Sequence, residues 1–120
     1  MHIVNKLTPN KFMSEYLLTE DAIILDIRTI EELNDNAAIP NAIHINFFES
    51  NFESKLKDID KNNMLLIYCE SGSRSNRVCQ VLKNEGFENV AYLEGGIIAW
   101  DKYCGIDNNF HANYFENFEG

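Results

Sequence analysis

The sequence predicts an α/β fold, a three-layer sandwich in which a parallel β-sheet carries helices on both faces. Short apolar runs, which are typical of buried strands, alternate with segments whose apolar residues recur at helical spacing. Such alternation is typical of a parallel sheet, because each strand returns to the sheet through a helical crossover. The chain has 120 residues, which suits a single compact domain.

The first elements are predicted from local signals. Residues 2–4 form a predicted short edge strand. Thr8 followed by Pro9 is typical of the cap and first residue of a helix, since proline loses no intrahelical hydrogen bond there. That helix is expected to end near residue 18. The apolar run over residues 22–27 then predicts a buried strand.

Two capping boxes predict the next two helices. In a capping box, a serine or threonine and a glutamate three residues later each accept a hydrogen bond from the other's backbone N–H. Thr29 and Glu32 form the first such pair, and Ser50 and Glu53 form the second. Between the two helices, residues 42–45 form a predicted short strand.

In the second half of the chain, a predicted central strand over residues 64–68 leads through a loop into a helix over residues 75–85. Gly86 is suited to end this helix, since glycine adopts the left-handed conformation without strain. Residues 90–93 form the last predicted strand, and residues 96–103 form the last helix.

The chain is expected to contain one domain. We find no internal repeat and no linker, so residues 1–104 are assigned to a single domain. Residues 105–120 are rich in Asn, Phe and Glu, and we expect them to form an acidic and aromatic C-terminal tail.

Composition narrows the classes of function. The formal net charge of −9 argues against a nucleic-acid partner, because nothing would offset repulsion from the phosphates. The apolar runs are too short to span a membrane, and the start of the chain lacks the pattern of a secretory signal. No metal site is predicted, since the three cysteines lack Cys-x-x-Cys spacing and the three histidines are scattered. Unpaired thiols favour a cytoplasmic protein.

The loop after the predicted central strand carries the candidate chemistry. Cys69 follows the apolar run, Gly72 lies within the loop and Arg74 comes near the start of the next helix. Backbone N–H groups of residues 70–75 and the helix N-terminus would point at the cysteine sulfur and stabilise it as a thiolate. Ligands also bind at the carboxyl ends of strands in parallel sheets. The sequence therefore predicts a nucleophilic cysteine in an anion cradle.

Four stretches, in order along the chain, resemble the rhodanese-like sulfurtransferase family. Residues 69–74 are similar to its Cys-x-x-Gly-x-Arg active loop, and residues 25–28 to its Asp-Val-Arg segment. Residues 95–100 match its Gly-Gly-x-x-x-Trp segment, whereas residues 38–45 resemble its His-Ile-Pro-Gly stretch without the histidine and second glycine. The resemblance implies that Cys69 takes a sulfane sulfur from a donor as a persulfide and passes it to a thiol or cyanide acceptor, with no cofactor.

The resemblance also implies roles for the other loop residues. Gly72 lets the backbone curl around the sulfur, and Arg74 is expected mainly to hold the loop by hydrogen bonds to its carbonyls. The remaining substrate-binding candidates offer hydroxyl groups to the sulfur or cap the helix; they are Ser71, Ser73 and Ser75.

Glu70 departs from the family pattern. Many members with thiosulfate activity carry a basic or uncharged residue directly after the cysteine. A carboxylate there repels a dianionic donor and works against thiolate formation. We therefore expect the donor to be a protein or small-molecule persulfide, with a sulfur-relay protein as one candidate partner.

Two alternatives stay open. One is a cysteine-dependent phosphatase or arsenate reductase, although those enzymes place five residues between cysteine and arginine and only four separate Cys69 from Arg74 here. Phosphatase chemistry also needs a general acid, and Asp26 is the only carboxylate at a predicted strand end, where a structural role is the simpler interpretation. The other is a non-catalytic interaction module. Finally, Arg28 and Glu32 are expected to form a weak surface ion pair.

Overall fold

The computed structural model describes residues 4–106, with side chains described through Cys104. Five strands form one sheet in the order β1-β5-β4-β2-β3, and every neighbouring pair is parallel. The strands are β1 (Asn5–Leu7), β2 (Ile23–Asp26), β3 (Ile43–His44), β4 (Leu65–Tyr68) and β5 (Val90–Leu93). The helices are α1 (Pro9–Leu18), α2 (Ile30–Asp35), α3 (Phe52–Lys57), α4 (Ser73–Asn84) and α5 (Gly96–Ile106).

The two faces of the sheet bury separate apolar clusters, which confirms the predicted three-layer sandwich. Alternate residues of β4 point to opposite faces, as the pleat requires. Leu65 and Ile67 pack with buried residues of α3 and α4, whereas Leu66 and Tyr68 pack with those of α1 and α5. Because β4 is covered on both faces, all four of its residues are buried.

Several local predictions are confirmed. Thr8 caps α1, with Pro9 as its first residue, and the Thr29–Glu32 capping box opens α2. At the end of α4, Gly86 adopts a left-handed conformation with φ +100°. Its N–H and that of Phe87 bond the carbonyls of Lys83 and Leu82, which satisfies the free carbonyl groups at the helix end.

Three predicted element starts are wrong. The edge strand was predicted at residues 2–4, of which residues 2 and 3 lie outside the described residues. The observed strand is Asn5–Leu7, because those residues pair with β5. The Ser50–Glu53 capping box does not form. The cap of α3 is Asn51 instead, whose backbone (φ −97°, ψ 16°) is not extended and whose side chain makes no capping bond.

The third lies in the loop that holds Cys69, where α4 starts at Ser73 and not at residue 75. The cause is Gly72, which sits at the N-cap with φ +107° and lets the chain turn directly into the helix. The first two residues of the tail predicted at 105–120 belong to α5, and residues 107–120 lie outside the part of the chain that the structure describes.

Candidate active site

Cys69 directly follows β4, at the carboxyl edge of the sheet. Its side chain is fully buried, and Gly72 donates its backbone N–H to the sulfur at 3.1 Å. Gly72 is also the N-cap of α4, so the sulfur lies at the positive end of a twelve-residue helix. The loop places the sulfur where an anion is favoured.

Gly72 has a second reason to be glycine. A Cβ atom on it would lie 3.4 Å from the Gly95 nitrogen and 3.5 Å from the Leu93 carbonyl oxygen. The turn after β4 therefore packs closely against the turn after β5. The φ of Gly72, +107°, would also strain any larger residue.

The start of α5 holds the loop from the other side, a contact that sequence reasoning missed. Ile97 donates its N–H to the Cys69 carbonyl at 3.0 Å, and Ile98 donates to the Glu70 carbonyl at 3.4 Å. These bonds satisfy N–H groups at a helix N-terminus that have no partner within the helix. They require Gly96, because a Cβ atom there would lie 2.6 Å from the Cys69 oxygen. The paired glycines at residues 95–96 were the available sequence signal.

The resemblance implies that Arg74 bonds the loop carbonyls. In the structure it bonds the carboxylate of Glu32 instead. Its two terminal nitrogens donate to the two oxygens at 2.9 and 2.6 Å. A charged acceptor in fork geometry competes better for a guanidinium than neutral carbonyls do. The Phe48 ring, with its centroid 5.6 Å from the guanidinium carbon, covers the same group.

This ion pair perturbs both partners. Hydrogen bonds from Arg74 lower the pKa of Glu32 to about 2, although burial opposes the shift. In turn, the hydrogen bond to Glu32 raises the pKa of Arg74. Glu32 also accepts the Thr29 N–H at 3.0 Å, so one carboxylate caps α2 and anchors α4. The cation beside Cys69 is thus already neutralised.

The predicted surface pair between the side chains of Arg28 and Glu32 is wrong. Arg28 is fully buried, and its Nε and Nη2 atoms bond the carboxylate of Asp26, with the closest approach 2.8 Å. Its Nη1 atom donates to the carbonyl oxygens of Glu32 and Asn36, at the end of α2. Because α2 buries none of its own residues, this guanidinium supplies much of its attachment to the sheet.

Asp26 has a structural role, as predicted. It accepts the Tyr68 hydroxyl at 2.6 Å in addition to the bonds from Arg28, and it is fully buried. Burial, followed by the charge of Asp26, raises the pKa of Tyr68. The hydroxyl therefore stays protonated and donates its hydrogen bond to Asp26. With its oxygens occupied in this way, Asp26 is not placed to protonate a leaving group, which counts against phosphatase chemistry.

Glu70 and Ser75 have unusual surroundings. Among the described residues, the Oε1 atom of Glu70 is buried without a hydrogen-bond partner. Burial and then the negative charge of Glu32 raise the pKa of Glu70. Ser75, in the first turn of α4, is fully buried, and its hydroxyl also lacks a partner within the described chain. Ser71 and Ser73 are exposed instead, so the structure separates the three serines that the sequence groups together.

The other two cysteines are not activated. Cys79 is buried on α4, and burial raises its pKa to about 12. Burial, with a contribution from Asp101, raises the pKa of Cys104 to about 11. Both thiols are therefore protonated at neutral pH and are poor nucleophiles. Cys69 alone of the three lies at a helix N-terminus.

These features define a class of protein: a parallel α/β domain that presents a cysteine in an anion-binding loop. A family model for the rhodanese-like domain matches residues 11–103, and the chain belongs to that family. A sulfurtransferase of Allochromatium vinosum is 33% identical over 101 residues, covering 84% of this chain and 92% of that protein.

Solved structures agree with this assignment. A rhodanese-like domain protein from Staphylococcus aureus superposes with a TM-score of 0.69 at 30% identity, covering 81% of this chain and 91% of that one. SSP1007 from Staphylococcus saprophyticus superposes with a TM-score of 0.68 at 27% identity, covering 81% of this chain and 93% of that one. The family supports sulfurtransferase-like chemistry.

Neither a membrane-spanning helix nor a metal-binding cluster is present among the described residues. No helix within residues 4–106 is both long and apolar enough to cross a membrane. The same part of the chain holds no cluster of three or more His, Cys, Asp or Glu side chains arranged to bind a metal ion.

Proposed function

We propose that this protein is a sulfurtransferase that carries a sulfane sulfur as a persulfide on Cys69. The observation that supports it is the buried Cys69 sulfur at the N-terminus of α4, bonded by the Gly72 N–H at 3.1 Å. The Cys69 thiolate attacks the terminal sulfur of a persulfide donor, the donor's S–S bond breaks, and the donor leaves as a thiolate. An acceptor thiolate or cyanide then attacks the outer sulfur and releases Cys69 as a thiolate.

The loop would stabilise both anionic states of this cycle. The Gly72 N–H already bonds the sulfur, and the free N–H groups of the first turn of α4 would add to the stabilisation of the thiolate and later of the persulfide. The Ser75 hydroxyl, buried without a partner among the described residues, would donate to the outer sulfur of the persulfide. Glu32 fixes Arg74, so Arg74 positions α4 and does not meet the donor.

The charges of the site favour a persulfide donor over thiosulfate. A thiosulfate dianion would have to approach Glu70, and the two cations that act on this carboxylate, Arg28 and Arg74, are already paired with other carboxylates. A hydropersulfide carries less negative charge and leaves as a thiolate, so the repulsion is smaller.

Intact mass spectrometry tests the carrier role. After incubation with glutathione persulfide, wild-type protein should gain the mass of one sulfur atom, which cyanide removes. Cys69→Ser should gain none, whereas Cys79→Ser, which removes a buried protonated thiol, should still load. A folded wild-type protein that gains no sulfur from glutathione persulfide or thiosulfate would contradict the proposal and favour a non-catalytic interaction module.

Glu70→Gln tests the donor preference. This substitution removes the charge and keeps the shape, so loading from thiosulfate should speed up about tenfold while loading from glutathione persulfide changes less. Glu94→Gln, at the same edge of the sheet but outside the loop, is the matched control and should leave both rates unchanged. Efficient loading of the wild-type protein from thiosulfate would refute the argument.

A further inference from the structure

Three large apolar side chains are exposed around the catalytic loop. Ile30 is 60% exposed, Phe48 66% and Ile98 45%. Each comes from a segment that follows a different strand, β2, β3 or β5, while the catalytic loop follows β4. Because the strands are parallel, all four segments meet at the carboxyl edge of the sheet. We call these three side chains the apolar rim.

Contacts place Phe48 and Ile98 beside the loop, and Ile30 lies on a helix that is bonded to it. The Phe48 ring covers the Arg74 guanidinium, at 5.6 Å. The backbone N–H of Ile98 lies 3.4 Å from the Glu70 carbonyl oxygen. Ile30 starts α2, the helix whose Glu32 binds Arg74. Exposed apolar side chains grouped in this way mark interaction sites more often than single ones do.

The same edge is acidic. Glu31 adjoins Ile30, Glu70 lies in the loop, and Asp35 is close enough to contribute to the raised pKa of Glu70. The two cations that act on Glu70 are both paired, Arg28 with the buried Asp26 and Arg74 with Glu32. Two copies of this surface would therefore repel each other, and the surface would also repel an anionic lipid surface or a nucleic acid. The complementary occupant carries apolar and basic side chains.

We propose that the apolar rim docks a protein that carries the sulfane sulfur on a cysteine surrounded by apolar and basic residues. This inference rests on the proposed function and names the partner class of the same site. A protein donor can bury the apolar rim against its own apolar residues. Buried apolar contacts of this kind supply most of the binding energy in interfaces. Glu70, which is partly exposed in the loop, would pair through its carboxylate with a lysine or arginine of the partner.

The test compares three persulfide donors of defined surface. The first is a small helical scaffold with one persulfidated cysteine flanked by leucine and lysine. The second is the same scaffold with glutamate in place of each lysine, and the third is glutathione persulfide. We expect the lysine scaffold to load Cys69 at least about tenfold faster than the glutamate scaffold, with an advantage that falls as salt rises.

Variants locate the effect on the surface. Ile30→Ser combined with Ile98→Ser removes two rim side chains but keeps the backbone N–H that Ile98 donates to the Glu70 carbonyl, and should slow loading from the lysine scaffold about tenfold. Loading from glutathione persulfide should be unchanged. Leu18→Ser is the matched control, since Leu18 is 85% exposed at the end of α1, away from the catalytic edge, and should change neither rate.

The outcomes separate the two proposals. If glutathione persulfide loads Cys69 but the lysine and glutamate scaffolds react equally, or the double variant slows all donors alike, the docking inference is overturned and the carrier function stands. Self-association that disappears in the double variant would also overturn it, in favour of a second copy as the occupant. If no donor loads Cys69, the proposed function itself fails.

Discussion

Gly96→Ala should lower the free energy of unfolding by about 3 kcal/mol and displace the loop that holds Cys69. The residue has φ +61°, which costs alanine about 1–2 kcal/mol. In addition, the new Cβ would lie 2.6 Å from the Cys69 carbonyl oxygen and closer still to that of Glu70. Relieving such overlap in a packed region costs typically about 1–3 kcal/mol more. The loop must move away from α5, which breaks the bonds from Ile97 and Ile98.

Urea unfolding measures the stability change, and alkylation of Cys69 followed by peptide mass analysis reports on the loop. Gly86→Ala is the matched control, because Gly86 also has positive φ, +100°, but a Cβ there would meet only the Lys61 side chain, at 3.6 Å or beyond. It should lose about 1–2 kcal/mol from backbone strain and leave the reactivity of Cys69 unchanged. Equal effects of the two substitutions on Cys69 would contradict the proposed contact between α5 and the loop.

Most of the local structure that short sequence signals specify was predicted correctly, with the Ser50–Glu53 capping box as the exception. The Thr29–Glu32 capping box and the glycine at the end of α4 involve partners within five residues, so the pattern contains the whole interaction. The alternation of apolar runs with helical spacing likewise predicted the sandwich, and the strand-loop-helix around Cys69 predicted where its sulfur lies. In each case the physical cause is local or periodic.

The interactions that could not be predicted join distant segments. Arg28 and Glu32 are four residues apart, which favours a pair on a helix surface. In the fold, Arg28 lies under α2 with Asp26, and the side chain of Glu32 faces Arg74, 42 residues away. The contact between α5 and the catalytic loop is of the same kind. Sequence spacing carries no information about which face of a short helix meets a loop from elsewhere in the chain.

The last prediction concerns this long-range ion pair. Glu32→Gln should lower the free energy of unfolding at pH 7 by about 3 kcal/mol, since the pKa of Glu32 falls from an ordinary 4.5 to about 2 and each unit is worth about 1.4 kcal/mol. Glutamine still accepts the Thr29 N–H, so the capping box survives and the loss reports mainly on the charge. The pair is only about one-fifth exposed, so solvent screens it less than a surface pair.

The direction of the Glu32 pKa shift determines how this stability difference changes with pH. A carboxylate with a depressed pKa stabilises the fold above its ordinary pKa, and that contribution disappears as the pH falls through the folded value. The stability difference between wild type and Glu32→Gln should therefore be full above about pH 5 and shrink towards pH 2. Glu31→Gln, an exposed neighbour on the same turn of α2, should differ from wild type by less than about 0.5 kcal/mol at any pH. A Glu32→Gln deficit that persists unchanged at low pH would mean that the side chain acts through packing, and Arg74 would then be positioned by something other than the charge of Glu32.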